Sequence, residues 1–428
     1  MAEIKAFKAL RFTPKAGPIS ELACPPYDII SEEQRKAYLE KNEHNVIRLE
    51  LPREGQDPYA RAGEILRQWE ADGIVATEDE DALYIYEEEF TARGKRSSIR
   101  GFVCRVKLEE FSKEIVLPHE ETLSKAKKDR FQLMDATMCN FSQIYSLYMD
   151  ESGTTRSRIE ALSAGKPDIE FTDGEGIVQR LWIIKDKNAI QSICGDFTDR
   201  KLYIADGHHR YETALNFRDS LRERGLAKEG DAADYVMMML VDMENPGLVV
   251  FPTHRLVRDL AQFDKDAIIK ACGEYFDVTA KTGIANMENE LEKLYEQGEK
   301  AFGFYCGGDE WTQLVLKDKT VMASMLPDKS EALRNLDVSV LHTLVLEKLM
   351  GIDKENMAKQ INLTYTKIFD EAIDGVQKGD FQCAFILNPT RVEEIRDVAG
   401  AGEKMPQKST YFYPKIITGL VMNKLTDK

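Results

Sequence analysis

Residues 202–218 read LYIADGHHRYETALNFR, and the fold is decided by how this stretch is parsed. An apolar run rich in β-forming residues ends in Asp206 and turns on Gly207. His208, His209 and Arg210 follow, and then Tyr211, Ala214, Leu215 and Leu221 recur at helical spacing. The stretch therefore predicts strand, polar turn, helix. Such a junction sets the unpaired N–H groups of a helix's first turn beside two histidines and a guanidinium, a combination suited to phosphate or another anion. Asp206 at the strand end could hold a divalent cation shared with that phosphate. The plainer reading, that Gly207 makes a tight turn and the histidines cap a helix, stays open beside it.

Working outward, the flanking segments alternate helix and strand. Upstream, Ser31 with Gln34 reads as a capping box for a helix through Lys41, and Asp57-Pro58 opens a second helix closed by Gly73. Residues 82–91 and 98–108 read as a hairpin. Pro118 then breaks a short strand and leaves His119, Glu120 and Glu121 on a loop, before Lys125, Lys127, Lys128, Asp129 and Arg130 open a helix. Carboxylates beside a basic helix start supply a general base near an anion, although a run of this kind is commonly a solvated face. Downstream, residues 235–243 (YVMMMLVDM) are nearly continuously apolar, as in a strand covered on both faces. His254 and Arg255 are expected at another strand end. Beyond residue 258 the pattern is helix and strand in alternation, with His342 on an amphipathic helix at 338–349 as a core or groove histidine. Near the C-terminus, Lys408, Ser409 and Thr410 sit in MPQKSTYFYPK (405–415), which reads as a tied-down loop able to close over a small polar ligand, or as a buried packing hook.

A chain of 428 residues suggests two or three domains. The division expected here is 1–257 and 258–428, in a mixed α/β (α+β) architecture. The net charge of −16 opposes non-specific binding to nucleic acid or anionic membrane, so neither is expected as a partner. Seven scattered cysteines without a CxxC pair argue against a zinc ribbon or a disulfide framework, and no apolar run approaches the ~18 residues of a membrane span. A cytoplasmic protein is expected. Four of the six histidines (His119, His208, His209, His254) fall at predicted strand ends or charged loops, which in an α/β fold is where ligands gather. No Walker loop, no GxGxxG after a strand and no GxSxG elbow is present.

The DGHHR turn at 206–210 resembles the signature turn of the ParB/sulfiredoxin superfamily, and most closely that of its free L-serine kinases. Those kinases also carry a P-H-E loop upstream, as Pro118-His119-Glu120 stands here. The resemblance implies a ParB/sulfiredoxin-like catalytic core in the N-terminal region, with an added α/β C-terminal domain whose tail completes the site. It implies Glu120 as the base that takes a hydroxyl proton. Gly207, His208, His209 and Arg210 would cradle phosphate, with Asp206 on Mg²⁺. A C-terminal P-K-T-T-like segment of the kinases is similar to residues 406–410, which implies substrate contacts from Lys408, Ser409 and Thr410, with His119 beside them. Lys127, Lys128, Arg130, His254 and Arg255 are candidates for further phosphate contacts. The reaction so implied is phosphoryl transfer to the hydroxyl of L-serine from pyrophosphate, ATP or ADP. Alternatives are a phosphoserine phosphatase using the same residues, or a non-catalytic nucleotide or serine sensor. Sulfiredoxin chemistry would need a cysteine where His208 stands.

Overall fold

The structure, a computed structural model, describes residues 1–122 and 124–426. It divides into two compact units. The first comprises residues 1–118, 122–249 and 414–428, and the second residues 119–121 and 250–413. The two units meet along the chain at Val249 and Val250, and the tail from Pro414 belongs to the first unit. The class is mixed α/β, as the alternating pattern implies.

Among the described residues, the first unit is built on a nine-stranded sheet. Its strands run in the order Val116–Leu117, Leu202–Asp206, Ile144–Tyr148, Tyr235–Asp242, Lys95–Lys107, Leu83–Ala92, Val178–Ile184 and Ile169–Thr172, with Ile4–Lys5 added beside Lys95–Lys107. The predicted hairpin is the Leu83–Ala92/Lys95–Lys107 pair, turned at Arg93 and Gly94, both with positive φ. Tyr235–Asp242 is buried at every position, because it lies mid-sheet between a parallel and an antiparallel neighbour. One face of the sheet carries Ile85, Phe102, Met238 and Ile204 and packs on Tyr211, Leu215 and Leu221 of the helix His208–Glu223. The predicted capping box is present: Ser31 accepts from the Gln34 backbone, and Gln34 closes back on the Ser31 N–H.

The second unit has a six-stranded, wholly antiparallel sheet. Its order is Phe276–Thr282, Glu310–Leu316, Ala301–Tyr305, Cys383–Ile386, His254–Val257 and Leu363–Thr366. Alternation along the strands loads both faces. Phe302 and Phe304 pack with the helical segment Leu341–Leu349, and Ala301 and Tyr305 with the helices Met287–Glu296 and Phe369–Gln377. The segment Leu341–Leu349, which continues the helix Asp337–Val340, is wound as a π-helix. No described helix is long and apolar enough to cross a membrane.

The structure corrects the placement of His254 and Arg255, which do not end a strand. They begin one, His254–Val257, after the break at Pro252, because HRLV pairs on both sides with Leu363–Thr366 and Cys383–Ile386. His254 is fully buried there, and its Nδ1 accepts the Leu387 N–H at 3.3 Å.

Candidate functional site

The DGHHR turn forms as the sequence predicts. The strand ends at Asp206, Gly207 takes φ 97° as N-cap, and His208 opens the helix His208–Glu223. A left-handed φ favours glycine, and a Cβ here would also lie 2.9 Å from Arg210 Nε. Gly207 has no side chain with which to cap the helix. His208 is buried; His209 and Arg210 are half-buried.

Asp206 is the electrostatic hub of this turn. One carboxylate oxygen accepts from Arg210 Nη2 at 2.5 Å, and the other accepts from Lys415 Nζ. Arg210 Nη1 also donates to the Gln143 carbonyl. Burial alone would raise the Asp206 pKa, but Lys415, Arg210 and His208 outweigh it and hold the carboxyl well below the usual range. Lys415 was not singled out in the sequence. The signal available was the Pro414-Lys415 pair directly beyond the aromatic run, but its partner lies 209 positions away.

This arrangement bears on the expected Mg²⁺. With one oxygen on an ammonium and the other on a guanidinium, Asp206 is already charge-compensated, and a dication placed on it would meet two cations at contact distance. The donor set does not fit a metal bound directly by Asp206. Among the described residues there is also no group of three or more His, Cys, Asp and Glu side chains arranged for a metal ion.

The basic helix start is the helix Ser124–Thr137. Lys127 Nζ donates to Glu212 at 2.7 Å, and the Thr122 hydroxyl donates to the same carboxylate at 2.7 Å. Lys128 is exposed. Arg130 is a correction: it is 4% exposed, donates to the Glu50 carbonyl at 2.8 Å, and stacks over Tyr27 at 3.9 Å. It is a structural cation of the first unit, drawn inward because Glu50 beside it is buried as well.

In the second unit, the His119–Glu120 loop and the Lys408–Thr410 segment come together. The Lys408 N–H donates to Glu120 Oε1 at 2.9 Å, and His119 Nε2 pairs with Thr410 Oγ1 at 3.0 Å. The Met405 N–H donates to the His119 carbonyl at 2.7 Å, and Glu120 bridges Met405 in parallel. Lys408 takes φ 57°, which aims its N–H at the carboxylate, and its side chain is exposed. Ser409 is buried, its hydroxyl donating to the Pro406 carbonyl. Ser409 is thus packed inward, while the Lys408 N–H and Thr410 hold the Glu120 loop.

Arg255 is 1% exposed. Its guanidinium donates to the Thr253 carbonyl, to the Lys408 carbonyl at 3.1 Å and to His342 Nε2 at 3.2 Å. It thus braces the Lys408 segment from beneath.

A family model described as "Protein of unknown function (DUF1015)" matches residues 4–339. The chain belongs to the DUF1015 family. No curated protein sequence matches this DUF1015 chain. Among solved structures it is similar to a free serine kinase in complex with AMP, at 14% identity over 73% of this chain and 88% of that one, with a TM-score of 0.37. A conserved hypothetical protein from Pyrococcus furiosus is similar at 16% identity over 72% and 92%, TM-score 0.34. SbnI with C-terminal truncation from Staphylococcus aureus is similar at 10% identity over 75% and 87%, TM-score 0.38.

Proposed function

We propose that this DUF1015 protein is a small-molecule kinase that transfers a phosphoryl group to the hydroxyl of L-serine. The observation that carries the reading is the Glu120 loop. A carboxylate held by the Lys408 N–H at 2.9 Å, with His119 and Thr410 paired beside it, unites the two segments that the resemblance to free serine kinases assigns to base and substrate. The Lys408 N–H holds the carboxylate in place, as a base that is to accept a hydroxyl proton requires. The DGHHR turn is the second part of the reading, with Gly207, His208, His209, Arg210 and the helix N-terminus as the cradle for the donor's phosphate. Asp206 would orient Arg210 and Lys415, and Lys415 joins the candidates for phosphate contact. Pyrophosphate, ATP and ADP are the candidate donors. Mg²⁺ would enter as the counter-ion of the donor's phosphates.

In the reaction, the serine Oγ attacks the donor's terminal phosphorus, Glu120 takes the hydroxyl proton, and the P–O bond to the leaving phosphate breaks. Cations around the transferred group supply the larger share of the rate, with the base worth typically ~10²–10⁴-fold. The test is phosphorus NMR of purified protein with L-serine, Mg²⁺ and each donor in separate tubes, plus phosphoserine alone. The expected result is O-phosphoserine from one donor, reduced at least ~10²-fold in Glu120→Gln. Free phosphate from phosphoserine alone would replace the reading by a phosphatase. Nucleotide or serine binding without turnover in any tube would replace it by a sensor.

A further inference from the structure

The second unit contains a cavity of about 210 Å³ outside the residues assigned to catalysis. Its lining includes the Lys404–Gln407 stretch, the apolar Leu333 and Met357, and the polar Ser339, His342 and Tyr365. Ser339, His342 and Thr343 line it from the helix Asp337–Val340 and its π-wound continuation, and Tyr365 from the strand Leu363–Thr366. Single π-turns recur at functional sites because they displace side chains from the regular register.

Three features of that lining call for a ligand. The Ser339 side chain is buried, at 3% residual exposure, and its hydroxyl has no hydrogen-bond partner; neither has the buried Tyr365 hydroxyl. Leaving a buried hydroxyl unpaired is costly, so two such hydroxyls on residues that line one cavity mark a place where something else accepts from them. His342 is buried too, and its Nε2 accepts from Arg255, which can only donate. The ring proton therefore sits on Nδ1, making it a third donor in this lining. Burial, followed by the adjacent Arg255, holds the imidazole neutral by pushing its pKa well down.

Behind these donors lies Arg255, a guanidinium at 1% exposure that forms no ion pair with any carboxylate among the described residues. Its partners are two carbonyls, His342 and the face of Tyr365 at 5.4 Å. Buried cations are ordinarily matched by an anion. Lys329 and Lys354 in the lining add positive charge, against Glu121 and Glu347. The volume exceeds the roughly 150 Å³ of an apolar cavity that admits benzene.

We propose that this cavity binds a small organic anion, a carboxylate or phosphate ester on an apolar body, whose oxygens accept from Ser339, Tyr365 and His342 while Arg255 behind them supplies the matching charge. The site stands whether or not the chain is a kinase, because none of Ser339, His342 or Tyr365 has a part in the proposed transfer.

The test is isothermal titration of the full chain with benzoate, phenyl phosphate and the uncharged benzamide. Benzoate or phenyl phosphate should bind, and whichever binds tighter names the head group. Benzamide should bind at least tenfold more weakly. Ser339→Ala/Tyr365→Phe, which removes two hydroxyls and little volume, should weaken the preferred anion at least tenfold with the thermal transition retained. Equal affinity for benzoate and benzamide on the wild-type protein would overturn the proposal, as would anion binding within twofold of wild type in the double variant. Absence of heat from all three probes at millimolar concentration would overturn it as well. Failure of serine phosphorylation would leave each of these results standing.

Discussion

Replacing Asp206 with asparagine separates two incompatible roles for this residue. If Asp206 were a metal ligand waiting for its cation, removing its charge would relieve a buried anion and raise the stability of the metal-free protein. In the structure it is instead the shared counter-ion of Lys415 and Arg210, whose side chains are each 11% exposed against 17% for Asp206 itself. A neutral amide in its place would leave two inward-facing cations in mutual repulsion. Breaking a buried pair by deleting one partner costs about 3–5 kcal/mol. Because all three groups keep some access to water, the lower end, about 3 kcal/mol, is expected. At ~2–4 °C per kcal/mol for a unit of this size, the transition should fall by roughly 6–12 °C at pH 7. The pH dependence has a definite sign. The folded carboxyl is held below its unfolded value, so its contribution is complete above the ordinary carboxylate range and fades as pH falls through it. The gap between wild type and Asp206→Asn should therefore narrow toward acid pH. The assay is thermal unfolding of wild type, Asp206→Asn, Lys415→Met and the double variant from pH 3 to 8, with and without Mg²⁺. The cycle should show coupling of at least about 1 kcal/mol between the two sites. An Asp206→Asn protein as stable as wild type or more so, or additive single effects, would refute the counter-ion role.

Glu88 is 1% exposed and accepts from Tyr86 Oη at 3.0 Å; burial pushes its pKa up to about 8, with Tyr86 and Gln179 pulling the other way. A raised acid is neutral in the folded state, so stability is lost as pH climbs from the unfolded value toward 8. Glu88→Gln should match wild type near pH 5 and exceed it by about 2–4 kcal/mol at pH 8.5 in chemical denaturation, and a gap independent of pH would refute this. Gly207→Ala places a methyl in a left-handed backbone and against Arg210, so it should lose about 1–3 kcal/mol and more activity than its stability explains, compared by melting and turnover. Arg130→Met should unfold the first unit more readily by about 3 kcal/mol in urea titration, since Glu50 is left buried beside it.

What could be read from the sequence was local. The strand, turn and helix of 202–218, the Ser31/Gln34 box and the hairpin all rest on contacts within a few residues, and each formed where its residues indicated. The strand Phe276–Thr282 carries little local signal, because FDVTAKT holds only two large apolar residues and its outer face is solvated. His254 and Arg255 were placed at a strand end because charged residues beyond an apolar run usually mark one. Here the next two residues, Leu256 and Val257, continue a strand whose partners are more than a hundred positions downstream, so no local pattern could register the pairing. Lys415 escaped for the same reason. The coupling of the Glu120 loop to Lys408 was indicated only through the resemblance, since nothing in the spacing of the two segments relates them.

Arg210 and Arg255 show why residue type alone does not assign a role. Both follow a histidine, and both were read as anion ligands. Arg210 sits four residues after an aspartate on the first turn of a helix, and its charge is matched by that carboxylate. It can meet a phosphate only with its remaining donors and in company with Lys415. Arg255 has no acid within reach on its own strand, and its neighbours turn carbonyls and a neutral imidazole toward it. Burial consequently pulls the Arg255 pKa down to about 10 and Tyr365 opposes this only weakly, whereas in Asp206 the paired cations override burial altogether. The uncompensated cation is the one with electrostatic energy to gain from an arriving anion. An anion binding near Arg255 should therefore raise the stability of the second unit more than the same anion raises that of the first, and limited proteolysis with and without phenyl phosphate would report the two units separately.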